Sequence, residues 1–188
     1  MLEAARRSPV SYSRLIDTRA GLAGIRVPPG YAMDRARCEI GRGPEAFAAA
    51  RAALGRWEQF NLGWVRVANP EAKIETGEMV AVQAHGLGLW SINVSRILYV
   101  IDEPARFGFA YGTTELHVER GEERFLLEID QDSGAVFYDL LAVSQPAHWL
   151  ARLGFPYTRS RQRRFARESS RRMQTLEPDP QRLEPPVN

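Results

Sequence analysis

The sequence predicts an α+β domain in which an antiparallel sheet packs against a long C-terminal helix. Three observations carry that expectation. From Met79 to Ser144 apolar residues recur with period two in runs joined by short turns, the pattern of an antiparallel meander. Ahead of the meander, Gly43-Pro44 opens a stretch in which Phe47, Ala50, Leu54 and Trp57 recur at helical spacing. Behind it, Phe165, Ser169 and Met173 repeat that spacing toward the C-terminus.

The elements follow in order. Residues 1–30 read as an irregular arm ending in the turn Pro28-Pro29-Gly30, with Leu15, Ile16, Leu22 and Ile25 as apolar anchors. Arg35 to Ile40 reads as a short first strand. The helix opened by Gly43-Pro44 is expected to end between Trp57 and Phe60, and Leu62 to Val67 reads as the next strand. Met79 to His85 turns at Gly86-Leu87-Gly88 into Leu89 to Asn93, which leads into Val94 to Ile101; Asp102-Glu103-Pro104 then breaks the chain. Arg106 to Thr113 is a strand with Phe107, Phe109 and Tyr111 on one face and only Gly108, Ala110 and Gly112 on the other. Something must approach the backbone closely on that bare side. Glu123 to Asp130 pairs through Gln131-Asp132-Ser133-Gly134 with Ala135 to Ser144. The last helix is expected to begin at Pro146, with Trp149, Leu150, Leu153 and Tyr157 on its apolar face and Gly154 and Pro156 as interruptions. The domain is expected over residues 31–173, and the tail from Gln174, with four prolines, to be disordered.

Composition narrows the functional classes. Of 188 residues, 44% are hydrophobic and 26% charged, as in an ordinary globular chain, and the net charge of +2 gives no global case for a specific nucleic-acid partner. The charge is uneven: Pro146 to Met173 holds eight arginines and one glutamate. Arg159, Arg161, Arg163, Arg164, Arg167, Arg171 and Arg172 imply at most weak contact with an anionic membrane surface. Cys38 is the only cysteine, which excludes an intrachain disulfide and a cysteine zinc site and fits a reducing, cytoplasmic compartment. No apolar run approaches a membrane span, and the N-terminus lacks the apolar core of a secretory signal.

Motifs for chemistry are sparse. There is no Gly-x-Ser-x-Gly elbow, P-loop or dinucleotide loop. His85, His117 and His148 have no ligand spacing; Glu115, His117 and Glu119 share one strand face, but one strand rarely supplies a whole coordination shell. Neither metal nor cofactor is expected, and no catalytic residue is nominated. Glu122 and Glu123 are adjacent, so on a strand one would point inward and the other stay wet, and an inward carboxyl would have a raised pKa and act as an acid or hold a ligand; the plainer reading of the pair is a charged turn at Gly121.

One family resemblance rests on specific residues. These are Pro29-Gly30-Tyr31; Trp57 with Gly63-Trp64-Val65; Arg96 with Tyr99; Gly108-Phe109-Ala110-Tyr111-Gly112-Thr113; His117; Gly121-Glu122-Glu123-x-Phe125; Ser144-x-Pro146-Ala147-x-Trp149; and Pro156 with Gln162. From about Tyr12 to Met173 the chain resembles a START-like family of bacterial and plant proteins of unknown function, within the helix-grip (SRPBCC) superfamily. It departs after Thr113, where Thr114-Glu115-Leu116 replaces the family's usual Leu and Pro-Gly-type turn. The resemblance implies a curved sheet gripping the C-terminal helix, with a hydrophobic cavity between them.

The functional expectation is therefore binding of a small apolar or amphipathic molecule, lipid-like or isoprenoid-like, in that cavity. Trp64, Trp90, Tyr99, Phe109, Tyr111 and Tyr138 are the expected walls; His85, Arg96, His117, Glu122 and Glu123 are the expected polar contacts. Tyr111 and one of the two glutamates are expected to share the cavity, with His117 at its rim. Two alternatives use other features. One is an enzyme with Glu122 or Glu123 as acid/base and His117 as its partner; the other is an interaction module acting through the basic helix.

Overall fold

A computed structural model describes residues 10–12, 16–20, 24–115, 117, 119–146 and 155–176. Its strands are β1 (Ala32–Arg42), β2 (Val65–Val67), β3 (Met79–Gly86), β4 (Leu89–Glu103), β5 (Arg106–Thr113), β6 (Glu119–Ile129) and β7 (Ala135–Pro146). Its helices are α1 (Gly43–Gly55) and α2 (Phe155–Gln174), with short 3₁₀ turns at Thr18–Ala20 and Glu58–Phe60. All seven strands form one antiparallel sheet in the order β1-β7-β6-β5-β4-β3-β2. The sheet curls around α2, which packs on β1, β7 and the Glu58–Phe60 turn. This is the helix-grip architecture, and the fold expectation holds.

Local chemistry explains the boundaries. Gly43 opens α1 with a φ of 83°, and Pro44, which lacks an N–H to satisfy, follows it. Trp57 sits at φ 64°, a left-handed conformation that stops α1 and starts the next turn. That non-glycine residue is held by its packing: the ring is buried, lies 5.2 Å from Phe109, and donates Nε1–H to the Ala72 carbonyl at 3.1 Å. The core is an aromatic stack of Trp57, Phe60, Phe109, Tyr111 and Phe125, closed from α2 by Phe165. Met173 and Ser169 are buried beneath α2, and the Ser169 hydroxyl bonds Tyr138 Oη at 2.8 Å.

Several boundaries differ from the sequence reading. β1 is longer than Arg35 to Ile40, the strand after α1 shrinks to Val65–Val67, and Leu89 to Glu103 is one continuous strand. β6 begins at Glu119, four residues before Glu123. Pro146 closes β7 instead of opening a helix, and α2 begins at Phe155. Because β7 is an inner strand, Pro146 stands at its last position, where a missing N–H is tolerated. Trp149, Leu150, Leu153 and His148 lie outside the described residues, as does the tail beyond Leu176; Gln174 still belongs to α2, and Leu176 packs on the core.

The bare face of β5 meets neither α2 nor a cavity. It is the convex face, and the N-terminal arm lies on it. Val10 bridges to Thr114, and the Ser11 N–H bonds the Thr113 carbonyl at 2.8 Å. A Cβ on Gly112 would stand 2.5 Å from Tyr12 Oη, so that glycine makes room for the arm. A Cβ on Gly108 would instead stand 2.2 Å from the Phe125 carbonyl, within the sheet.

Candidate functional site

The curl of the sheet leaves a cavity of about 480 Å³ between its concave face and the first turns of α2. Its apolar walls are Trp64, Val65, Val82 and Ala84 from the β2–β3 side, Leu140 and Ala142 from β7, Phe60 below and Phe165 and Ala166 from α2. Its mouth lies at the β3–β4 turn and the start of α2, where Leu87, Leu89 and Tyr157 are exposed.

The polar end is built on β5 and β6. In antiparallel register Tyr111 stands opposite Glu123, so the two side chains share the concave face. Tyr111 Oη donates to Glu123 Oε2 at 2.5 Å. Desolvation by the surrounding wall pushes the Glu123 carboxyl up to about 7; the Tyr111 bond works against that shift, and Glu119 and Asp34 add to it. The Tyr111 hydroxyl is itself held well above its ordinary range by burial and by the Glu123 charge.

Period two places Glu119 on the same face as Glu123, with Gly121 between them. Gly121 has no room for a side chain, because a Cβ would stand 2.1 Å from the Val143 carbonyl. Gln162 of α2 gives its amide N–H groups to both Glu119 oxygens, at 2.8 and 2.9 Å. Gln162 is oriented by Arg159, whose guanidinium donates to Gln162 Oε1 at 2.9 Å while pairing two-pronged with Asp34. Desolvation raises the Glu119 pKa despite those bonds. His117 lines the same end. Its Nδ1 accepts the Glu119 backbone N–H at 3.0 Å, and burial pushes the imidazole down to about 4, so the ring is neutral with its proton on Nε2.

Six of the eleven nominated residues border this cavity: Trp64, Trp90, Tyr111, His117, Glu122 and Glu123. Glu122 contributes at the wall, but its carboxylate points to the convex side, where it is buried under the arm. It accepts Thr18 N–H at 3.0 Å, the Thr18 hydroxyl and Tyr12 Oη–H at 3.1 Å. The expectation that the second glutamate stays wet is corrected: both faces of β6 are covered, one by the cavity and one by the arm.

The other five do not line the cavity. A bulge between Ile97 and Tyr99 reverses the facing of β4, so Tyr99 points outward, with its hydroxyl 2.6 Å from Thr18 Oγ1 and Arg19 above its ring. Arg96 shares the outward face of Gly112, since both neighbour the inward pair Ile97–Tyr111. His85 stacks on Trp90 at 5.0 Å, on the face opposite Ala84 and Gly86, so the Trp90 ring also lies on that outer face although the residue borders the cavity. Phe109 and Tyr138 face inward but are fully buried in the closed core.

Glu119, Gln162, Arg159, Asp34 and Asn93 belong to the site region and were not nominated. The spacing Glu119-x-Gly121-x-Glu123 carried a signal for the first. Gln162 stood three residues before Phe165, in register with the packed stripe of α2. No group of three His, Cys, Asp or Glu side chains among the described residues can hold a metal ion.

Comparison with known proteins gives a family and a fold. The sequence profile of the domain of unknown function DUF1990 matches residues 16–172. The chain is 35% identical over 184 residues to a UPF0548 protein of Dictyostelium discoideum, covering 89% of this chain and 85% of that one. It is 37% identical over 157 residues to a UPF0548 protein of Deinococcus radiodurans, covering 78% of each. A UPF0548 protein of Arabidopsis thaliana is 35% identical over 147 residues, covering 75% of this chain and 71% of its own length. Among solved structures, an uncharacterised protein from Rhizobium leguminosarum superposes with a TM-score of 0.51 at 11% identity, over 78% of this chain and 93% of that one. A protein from Nitrosomonas europaea gives 0.51 at 9% identity, over 77% and 92%. At those identities the likeness is one of fold alone.

Proposed function

This chain belongs to the DUF1990 family, and we propose that it binds a small amphipathic molecule in the cavity between α2 and the concave face of the sheet. The observation that carries the reading is the composition of the wall: an apolar surface with a few convergent polar groups at one end, at a volume suited to a small ligand. The apolar body lies against Trp64, Val82, Ala84 and Phe165, and the head group meets Tyr111, Glu123 and His117. The exposed Leu87 and Leu89 at the mouth give such a ligand an apolar path in. A single half-buried thiol, Cys38, fits a reducing cytoplasmic compartment.

Native mass spectrometry of the purified full chain tests this together with saturable uptake of an environment-sensitive dye. The expected result is a co-purified small molecule or one-site dye binding, abolished when Ala84→Trp fills the cavity. Dye binding that is unsaturable and indifferent to Ala84→Trp would sink the reading.

Acid/base catalysis by Glu123 is the second reading. The observation favouring it is a carboxyl poised to gain or lose a proton near pH 7. The geometry gives it less support, because among the described residues His117 bonds the Glu119 backbone and not a carboxyl. The interaction reading loses ground on α2 itself. Arg159, Arg161, Arg164 and Arg172 are engaged by Asp34, the His85 carbonyl, Glu168 and Glu58, leaving Arg163, Arg167 and Arg171 as the exposed face.

A further inference from the structure

The polar end of the cavity offers more acceptors than donors. Glu119 and Glu123 stand on one face of β6, and each is hydrogen-bonded by neutral groups, the Gln162 amide and the Tyr111 hydroxyl. The cations nearby are committed elsewhere. Arg159 is paired with Asp34, and Arg161 donates to the His85 carbonyl with its guanidinium 3.8 Å above the Trp64 ring. His117 is neutral. Among the described residues, therefore, no cation is paired with either carboxyl group.

A second group points the same way. Asn93, only 8% exposed, lines the cavity from β4, and its Oδ1 has no hydrogen-bond partner among the described residues. Its Nδ2 reaches Ser91 Oγ at 3.4 Å. A buried acceptor without a donor is costly, and such atoms in a native fold call for a missing partner.

We propose that the molecule bound here is an amphipathic amine: its protonated nitrogen donates to the Glu123 and Glu119 carboxyls, its apolar body lies along Trp64, Val82 and Phe165, and Asn93 Oδ1 receives a further donor. The inference rests on the binding reading above and adds the class of ligand. A carboxylate of the same shape would bring a further negative charge toward Glu119 and Glu123 and is disfavoured. An alcohol would donate a hydrogen bond but bring no positive charge, so it lacks the ion pair an ammonium forms with these carboxyls. An arriving ammonium favours ionised Glu123, so binding near neutral pH releases a proton from that carboxyl.

Calorimetric titration of the full chain with octylamine, octanol and octanoate separates the possibilities. Octylamine should bind about tenfold or more tightly than octanol, with octanoate weakest. Its binding heat near pH 7 should differ between phosphate and Tris buffers by the heat of the released proton. Glu123→Gln should bring octylamine to within about twofold of octanol and remove the buffer dependence. Glu119→Gln should lower the same preference, so the test survives a folding failure of either variant. Octanol or octanoate binding as tightly as octylamine would overturn the amine while leaving the cavity a binding site. Absence of binding by all three would overturn the binding reading itself.

Discussion

Glu122 and Glu123 are neighbours in sequence, and their carboxyls lie on opposite faces of one strand in unlike surroundings. On the convex face Glu122 is 4% exposed and accepts three hydrogen bonds from Thr18 and Tyr12. Arg124 beside it donates to the Thr18 carbonyl at 2.8 Å, and Tyr99 bonds the Thr18 hydroxyl, so the arm is fastened from several sides. On the concave face Glu123 has one neutral donor, stands in a cavity, and shares its wall with a second carboxyl. A buried carboxylate surrounded by donors from a distant segment is a structural fastener. A carboxyl left with few donors beside open space has room to meet a group from outside the chain, as the proposed binding requires. Both groups have raised pKa values through desolvation, so the shift alone does not tell them apart; the partners do.

The widest separation between the two faces is expected in stability. Glu122→Ala strands the Thr18 N–H, the Thr18 hydroxyl and the Tyr12 hydroxyl, and should cost about 2–4 kcal/mol in urea unfolding. Glu123→Ala frees only Tyr111 Oη beside a cavity and should cost about 1 kcal/mol or less. Equal losses in the two variants would break the comparison.

The pH dependence follows from Glu123. Its carboxyl is raised from 4.5 to about 7, so the stability linked to its proton is present in full below pH 4.5 and is lost as pH rises through about 7. Glu123→Gln mimics the protonated form. The two proteins should be equally stable near pH 4.5, and the Gln variant should be the more stable by on the order of 2 kcal/mol above about pH 8. His117, lowered from 6.5 to about 4, acts in the opposite direction: its stability is present above pH 6.5 and lost as pH falls through about 4. Because both proteins carry His117, its effect cancels in their difference. A difference that does not vary with pH would mean that the Glu123 carboxyl has the same pKa in the folded and unfolded chain.

A smaller effect probes the arm from the glycine side. Gly112→Ala places a Cβ 2.5 Å from Tyr12 Oη and 3.1 Å from Leu98 Cδ1. Both contacts are side-chain ends that can move, so the cost should be about 1 kcal/mol. Hydrogen exchange should quicken at Ser11 and Thr18 while ligand binding on the concave face is unchanged. Smallest of all, Arg167→Ala on the exposed face of α2 should alter stability by no more than about 0.5 kcal/mol.

The face assignments show where sequence reasoning held and where it failed. Phe107, Phe109 and Tyr111 do share one face, because β5 is regular throughout its pairing with β6 and side chains must alternate. Tyr99 was placed on the wrong side because the bulge at Leu98 inserts one residue, and no feature of Ile97-Leu98-Tyr99 announces it. Phe109 and Tyr138 point inward, yet the pattern that sends a ring inward does not say whether it meets another ring or open space.

By itself the sequence determined the order of elements, the antiparallel meander, the aromatic face of β5 and the certainty that Glu122 and Glu123 part company. Those features depend on the period of the backbone and on turn chemistry, which act over a few residues. Only the tertiary structure decided that the bare glycine face receives the N-terminal arm, that Gln162 reaches across to Glu119, and that Arg96 and His85 stand outside the cavity. Thr18 and Glu122 are 104 residues apart and Gln162 and Glu119 are 43 apart, and such meetings depend on sheet curvature and on where α2 comes to rest, which local patterns do not encode.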